Sequence, residues 1–563
     1  MNLPNLRSCG LAITTLLLSA CTTVGPDFQQ QHDSVVLPTQ WEQEQVRVDS
    51  QATAMWWQQF NDSTLNTLIT RASQQNLDVE AAGLRILQAR SVLGIADGLR
   101  YPQAQVASGN LAFAYQNDQS FTNAALTFDA GWEMDVWGKY ARGIESAQAS
   151  YYASVASYND ILVTITSEVA RNYINFRTFQ ERILLSQRNI EIQQRVVNIT
   201  RVQFESGNVT ELDVQQAQNQ LFTTMAALPS LKIAMQQAKN ALAVLLGTLP
   251  EQIEPLLHNQ GEDIINKGEQ QFQSTGKKLS ARESDALSMV PKAPSLEPSI
   301  EASLVLRRPD LQVAELQAHA QSAQIGITEA ALYPSFSLFG SIGINSTTPT
   351  GSSLSLSDSL MLVAGPTFSW NIFQYGRIKN NVRFEDARFQ ETLTNYNKKV
   401  LQAVQEVTNA LDAYQLYQEQ QGLRLRSVDA SIRAFNISMT QYENGQISFE
   451  RLLSSLEKMT RSEDSYAQIK GNVANQVVAL YKSLGGGWQV NSGKAFISDD
   501  LIETMNQRSD WGDTLSKESV LLPSNTQSVE SVNNTIATDN AEAPSAAKEK
   551  PPQPSATKPK EQP

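Results

Sequence analysis

Residues 76–106, NLDVEAAGLRILQARSVLGIADGLRYPQAQV, recur in altered form at 309–338, PDLQVAELQAHAQSAQIGITEAALYPSFSL. Asp78 aligns with Asp310 and Tyr101-Pro102 with Tyr333-Pro334, at an offset of 232 residues. Farther on, Trp132 aligns with Trp370, Tyr158 with Tyr396, Glu168 with Glu406 and Gly207 with Gly445, at an offset of 238. A duplication on this scale constrains the fold more than any other feature, because both halves must build the same supersecondary unit. The second copy has gained six residues between the Tyr-Pro pair and the Trp. Insertions settle in loops, so a loop lies in that window.

Each unit reads helix, strand pair, long helix, turn, helix. In the first unit a helix near 63–100 ends at Pro102, and a second runs from about 139 to 205 with no proline. That is about 100 Å at 1.5 Å per residue. Gly207 breaks it, since glycine takes the positive φ that a helix C-terminus favours, and helix resumes to about 247. The second unit repeats this at about 308–332, 376–443 and 447–483. With 563 residues the chain exceeds one ordinary core. Helices this long do not fit a globule and imply a coiled-coil-like assembly. Gln, Asn, Ser and Thr are spread around them, which suits walls wetted on both sides.

The net charge of -13 excludes nucleic acid as a partner, which needs a basic face. His32, His258 and His319 are scattered and form no metal or triad spacing; His319 falls in a helical pattern, with a surface or packing role. The two cysteines, Cys9 and Cys21, are both N-terminal, so no disulfide framework exists. Arg7 is the one charged residue before Cys21, and the apolar run LAITTLLLSA ends directly before it. The run is too short to cross a bilayer and reads as a signal peptide. Leu18-Ser19-Ala20-Cys21 resembles a bacterial lipoprotein signal, with a plain secretory signal cleaved elsewhere as the competing reading. The resemblance implies acylation of Cys21, a covalent lipid and no other cofactor. Thr22, where inner-membrane lipoproteins carry Asp, points to the outer membrane. No later stretch is long and apolar enough for a membrane helix, so any membrane crossing falls to strands.

Strand-like alternation is present. In 126–136, Leu126, Phe128, Ala130, Trp132, Met134 and Val136 fall on one face and Thr127, Asp129, Gly131, Glu133 and Asp135 on the other. Leu362, Ala364, Pro366, Phe368, Trp370 and Ile372 repeat the apolar face, against Val363, Gly365, Thr367, Ser369 and Asn371. The window 335–345 alternates likewise, whereas Val106 and Leu111 in 103–115 have opposite parity, a sign of a bulge or a register error. Period two over about 10 residues fits a barrel strand with lipid outside and a polar lumen lined by Asp129, Glu133, Asp135, Thr367, Ser369 and Asn371. The competing reading is a soluble sheet packed against helices. Four strands per chain cannot close a barrel, and an open edge cannot sit in lipid. Two copies give eight strands and a filled interior; three give twelve and a water-filled passage.

Several motifs resemble the TolC-like outer membrane factors, in their lipid-anchored branch. They are Trp56-Trp57-x-x-Phe60-x-Asp62-x-x-Leu65-x-x-Leu68, Asn76-Leu77-Asp78, Tyr101-Pro102, Arg307-Arg308-Pro309-Asp310, Tyr333-Pro334-Ser335 and LYKSLGGGW at 480–488. The match extends over residues 21–488. It implies a homotrimeric tunnel, mixing an all-α barrel with a twelve-stranded transmembrane β-barrel in outer membrane lipid. The domain order is a signal peptide (1–20), a lipid-anchored segment (21–62), repeat 1 (63–249, hairpin about 103–137), a linker at the tunnel's waist (250–300), repeat 2 (301–488, hairpin about 335–374) and a largely disordered extension (489–563). The extension is Ser, Asn, Ala, Pro, Lys and Glu without periodicity from about 520.

The resemblance also implies export of drugs or other toxic small molecules, with an inner-membrane pump joined through a periplasmic adaptor (membrane fusion protein). A duct for type I protein secretion is the alternative, and a periplasm-spanning scaffold without a pore a further one. In the family, the two helix–helix turns are the periplasmic tips where the adaptor docks, here Gly207, Asn208, Gly445, Gln446 and Ser448. Many members follow the second tip with Leu-Leu-Asp-Ala, whose Asp joins an acidic constriction. Leu452-Leu453-Ser454-Ser455 stands here, so Ser454 supplies no acidic ring. Glu450 and Glu457 flank it, and Glu211 and Asp213 lie beyond the first tip, as entrance-lining candidates. Enzymatic chemistry finds no P-loop, dinucleotide fingerprint or clustered His in this chain.

Overall fold

The structure, a computed structural model, describes residues 23–29, 53–258, 288–294, 303–349 and 359–522. Cys21 and the signal peptide lie outside these residues. A short 3-10 helix, Trp56–Phe60, leads into α1 (Ser63–Gln75) and α2 (Leu77–Gly98). Strands β1 (Ala104–Gln116) and β2 (Gln119–Met134) follow, then α3 (Lys139–Glu205), α4 (Glu211–Leu245) and α5 (Pro250–His258). The second unit is α6 (Ser303–Leu306), α7 (Pro309–Ala330), β3 (Ser335–Pro349), β4 (Leu360–Ser369), α8 (Arg377–Glu443) and α9 (Phe449–Ser483). The duplication is kept to the residue: α3 and α8 each have 67 residues, α4 and α9 each 35.

The first predicted helix is in fact two. Asn76 is extended, and its side-chain oxygen caps α2 by accepting from the backbone N–H groups of Asp78 and Val79 at 2.9 and 3.1 Å. Its amide nitrogen donates to the Leu245 carbonyl at 2.8 Å, so the break ties α1–α2 to the end of α4.

The strands form one antiparallel sheet in the order β1-β2-β3-β4. Asn117 and Asp118, both with positive φ, turn the first hairpin in two residues. In the second hairpin β3 continues to Pro349 and β4 restarts at Leu360, so the added residues do sit in a connection.

The largest core lies at the waist. Trp56, fully buried, stacks on Tyr481 with ring centroids 5.5 Å apart and meets Trp57 edge-on. Around it gather Leu65, Leu68 and Ile69 of α1, Leu162 and Tyr173 of α3, and Val477 of α9. Part of the linker docks beside it: Glu181 accepts from Ser288 Oγ at 2.8 Å and the Met289 N–H at 3.0 Å, and pairs with Lys470 at 2.5 Å.

The first part of the extension is ordered. Residues 488–522 fold onto this core through two 3-10 turns and α10 (Asp499–Arg508), burying Phe496, Ile497, Met505, Leu515, Val520 and Leu522. Asn491 donates to the Ser73 carbonyl at 2.7 Å, and Arg90 to the Ser519 carbonyl at 2.7 Å. Gly83 makes the contact: a Cβ there would stand 2.0 Å from the Phe496 oxygen. The stretch read as disordered by composition, from about 520, lies outside the described residues from 523 onward.

Candidate functional site: a two-faced sheet and two helical tips

The register assigns each strand residue to a face. Leu126 and Phe128 sit opposite Ile344 and Ile342 of β3, which in turn face Leu360 and Leu362 of β4. On β1 the same face carries Ala107, Gly109, Leu111, Phe113 and Tyr115. It is apolar from the base of the sheet to Leu126, with Thr122, Ser120 and Ser346 joining it toward the turns, and most of its large side chains are exposed in the single chain. The parity conflict in β1 is a register offset, and no bulge interrupts the pairing from Ala104 to Gln116. Gln103 is the additional residue: its amide nitrogen donates to the Leu99 and Glu133 carbonyls, and its Oε1 accepts the Glu133 N–H at 2.7 Å. Val106 therefore lies on the polar face, opposite Asp129.

That polar face is a hydrogen-bonded ladder. Asn110 donates to Asn123 at 2.9 Å, and Asn123 to Asn345 and Thr347 at 3.1 and 2.8 Å. Ser108 and Thr127 share a bond of 2.9 Å, and Thr127 donates to half-buried Asp129 at 3.2 Å. Thr367 and Ser369 are on the same face, opposite Ser337 and Ser335. Two candidates are corrected. Asp135 lies past the end of β2, where its Oδ2 accepts the Ala141 N–H at 2.7 Å and caps α3. Asn371 lies past the end of β4. Glu133 keeps its face but is matched by charge, with Lys139 Nζ and the Tyr140 hydroxyl each 3.0 Å away.

Indoles mark the base of the sheet. Trp132 Nε1 donates to the Arg100 carbonyl at 3.1 Å, Trp370 to Leu332 at 3.0 Å and Trp137 to Pro334 at 2.8 Å. Here the N-terminal peptide docks. The Val24 N–H donates to the Trp137 carbonyl at 3.1 Å, and buried Arg142 grips the Val24 and Gly25 carbonyls and Asp27. His319 is a packing residue: it stacks on Phe28 at 4.6 Å and bonds Glu145 at 3.0 Å. Burial raises the Glu145 pKa, but the bonds from His319 and Arg142 outweigh it and hold the carboxyl below the usual range.

At the far end, Gly207 and Gly445 have φ of +77° and +70°. The N–H groups of Asn208 and Gln446 reach back to the Gln203 and Gln441 carbonyls at 2.9 and 2.8 Å, closing each helix with a left-handed cap. Ser448 is the N-cap of α9. Asp213 belongs to the turn itself, accepting from the Thr210 N–H and Oγ1 at 2.9 Å in a capping box. Glu211, Glu450 and Ser454 are exposed and Glu457 is half-buried.

Sequence reasoning missed what joins the two coiled coils. Tyr442 Oη donates to Thr200 at 3.2 Å in a buried site, and Arg195 pairs with Glu443 at 3.2 Å. Nearer the waist, Arg182 binds Asp464 bidentately at 2.7 and 3.0 Å, and Asn189 donates to Glu463 at 3.1 Å. Each links residues more than 200 positions apart in sequence, with no local signal.

Helices of about 100 Å that feed a sheet with one apolar and one polar face define a subunit of a membrane-crossing duct. The model of the outer membrane efflux protein family matches residues 68–248 and 302–486, and the chain belongs to that family. It is an outer membrane efflux channel component, and the TolC-like resemblance holds. Nodulation protein T of Rhizobium leguminosarum bv. viciae is 27% identical, over 85% of this chain and 93% of its own length. The probable outer membrane lipoprotein SilC of Salmonella typhimurium is 25% identical, over 85% and 98%. Among solved structures, the outer-membrane channel OprN matches with a TM-score of 0.68 at 27% identity, covering 83% of this chain and 99% of its own. Members of the family are channels rather than enzymes.

Proposed function

We propose that three copies of this chain form a passive duct, anchored by lipid on Cys21, that receives cargo from an inner-membrane pump through a periplasmic adaptor. The sheet carries this reading: it is two-faced, with a free edge on β1 and another on β4. Neither edge is tolerable in lipid, and three copies of four strands give twelve, enough for a wetted lumen. A second support comes from α8, where exposed Leu416, Leu423 and Ile437 recur at multiples of seven, as a seam toward another helix requires. Lipid anchoring is supported by position. Thr23 packs against Gly138 at the base of the sheet, and Cys21 is two residues away, within about 7 Å of chain.

The duct does no chemistry of its own and binds no cofactor beyond the lipid. Cargo is set by the pump. Relatives at 27% identity are named for nodulation, cation efflux and pyoverdine export, so cargo class does not track this fold. The entrance, lacking an acidic ring at Ser454, is held by the Tyr442–Thr200, Arg195–Glu443 and Arg182–Asp464 links. Photo-crosslinking in cells from Ser448 tests the partner assignment. Capture of a periplasmic adaptor is expected; capture of neighbouring copies or cell-wall material alone would favour a scaffold.

A further inference from the structure

The chain contains a template for the joint that its two free edges must make. The β2–β3 seam joins the second strand of unit 1 to the first strand of unit 2, and β4 and the β1 of a following copy hold the same two roles. Trp132 and Trp370 are equivalent, since their indoles bind the equivalent carbonyls of Arg100 and Leu332. Within the hairpins, Ala104 opposes Gly131 as Ser335 opposes Ser369. Strand β1 therefore maps onto β3 with an offset of 231, one less than the Tyr-Pro offset of 232, Gln103 making the difference. In the template Trp132 faces Leu338, Ala130 faces Gly340, Phe128 faces Ile342 and Leu126 faces Ile344.

Resting on the multi-copy duct above, we propose that β4 of one copy pairs antiparallel with β1 of the next in the transferred register. Trp370 then opposes Ala107, Phe368 opposes Gly109, Pro366 opposes Leu111 and Ala364 opposes Phe113. The template pairs share the apolar face and so do the transferred ones: Phe368, Pro366 and Ala364 lie on it with Gly109, Leu111 and Phe113, and Trp370, one residue past the end of β4, keeps their parity. Size complements size: Trp370 and Phe368 meet Ala and Gly, and Phe113 meets Ala. On the polar face Ser369 meets Ser108 and Thr367 meets Asn110, which continues the ladder through Thr127 and Asn123. A slip of one residue would turn the apolar set into the lumen. A slip of two in one direction sets Phe368 against Leu111 and Pro366 against Phe113. A slip of two in the other sets Trp370 against Gln105 and Ser369 against Val106. Cross-strand pairs are the unit of sheet stabilisation, so both slips are disfavoured.

Paired cysteines test the register in the full-length lipoprotein. S108C/S369C and N110C/T367C are in register, while S108C/T367C and N110C/S369C are offset by two in opposite senses. Each is oxidised in membranes, run on denaturing gels beside its single-cysteine controls, and checked for copy number by native mass spectrometry. The expected result is a covalent ladder up to three chains from both in-register pairs and little from the offset pairs. A stronger ladder from an offset pair overturns the register. So does a three-copy particle in which no pair crosslinks, and the duct reading then survives. A single-chain particle would sink the duct reading and the register with it.

Discussion

The two repeats agree in helix length to the residue and differ in what covers them. Over α2 of unit 1 lies the extension 488–522, admitted by Gly83. The equivalent position in α7 of unit 2 is Glu315, and farther along α7 the N-terminal peptide docks, with Phe28 on His319 and Gly25 against Gly326. The tips diverge in the same way. Phe204 and Tyr442 each stand three residues before the turn glycine, yet Phe204 is 42% exposed and Tyr442 only 2%. Tyr442 packs on Phe449 in a core that also contains Leu452, Leu456 and Met459. Duplication supplies the scaffold, and the chain's two ends and a few tertiary contacts make the halves unequal. Unit 2 holds its tip tightly and unit 1 presents an open one.

Removing the cover from unit 1 has the largest expected effect. Truncation after Trp488 strips seven buried apolar side chains, on the order of 10 kcal/mol of burial, so the waist should become protease-sensitive. Truncation after Leu522 should leave protection unchanged. Equal sensitivity in both would break the distinction between the ordered strap and the tail.

Next come the tips. Tyr442→Ala should cost about 3 kcal/mol and Phe204→Ala under about 1 kcal/mol, measured by thermal unfolding. Tyr442→Phe removes only the bond to Thr200, about 1 kcal/mol. Equal losses from the two alanine variants would erase the asymmetry.

Glu315 sharpens the comparison through pH. Burial, with one carboxylate oxygen lacking a hydrogen-bond partner, pushes its carboxyl from 4.5 up to about 7. As pH rises from 4.5 the unfolded chain ionises first, so this site loses stability up to pH 7 and no more beyond it. Glu315→Gln should therefore be neutral near pH 4 and stabilising by up to about 3 kcal/mol at pH 8. Because position 83 is glycine, unit 1 has no matching term. A pH-independent gain would refute the assignment.

The smallest effect belongs to the lumen. Asp129→Asn should lower cation preference in bilayer recordings, whereas Glu133→Gln with Lys139→Gln, a neutral exchange of a pair, should not. Unchanged selectivity in Asp129→Asn would remove that residue from the pore.

Much of this was legible beforehand. The long helices were expected at about 139–205 and 376–443 and run Lys139–Glu205 and Arg377–Glu443, because a proline-free stretch and a terminal glycine are local signals. The alternation in β2 and β4 assigned their faces for the same reason. What escaped depends on partners distant in sequence. Asn76 breaks a helical pattern because Leu245 offers it a carbonyl. Gln103 shifts β1 by one residue because it bonds to Glu133. The strap at 488–522 has short turns without a long period and is held by α1, α2 and α3, through Ser73, Arg90 and Tyr158. Asp135 and Asn371 continued the alternation on paper, but β2 and β4 end before them.

The most direct test is single-channel conductance of the purified protein in planar bilayers, wild type beside Arg182→Ala/Arg195→Ala/Tyr442→Phe. The account predicts discrete steps in both, small and rare in the wild type and larger once the links between the coiled coils are cut. Absence of steps in both would contradict the duct, and equal steps would contradict closure at the second tip.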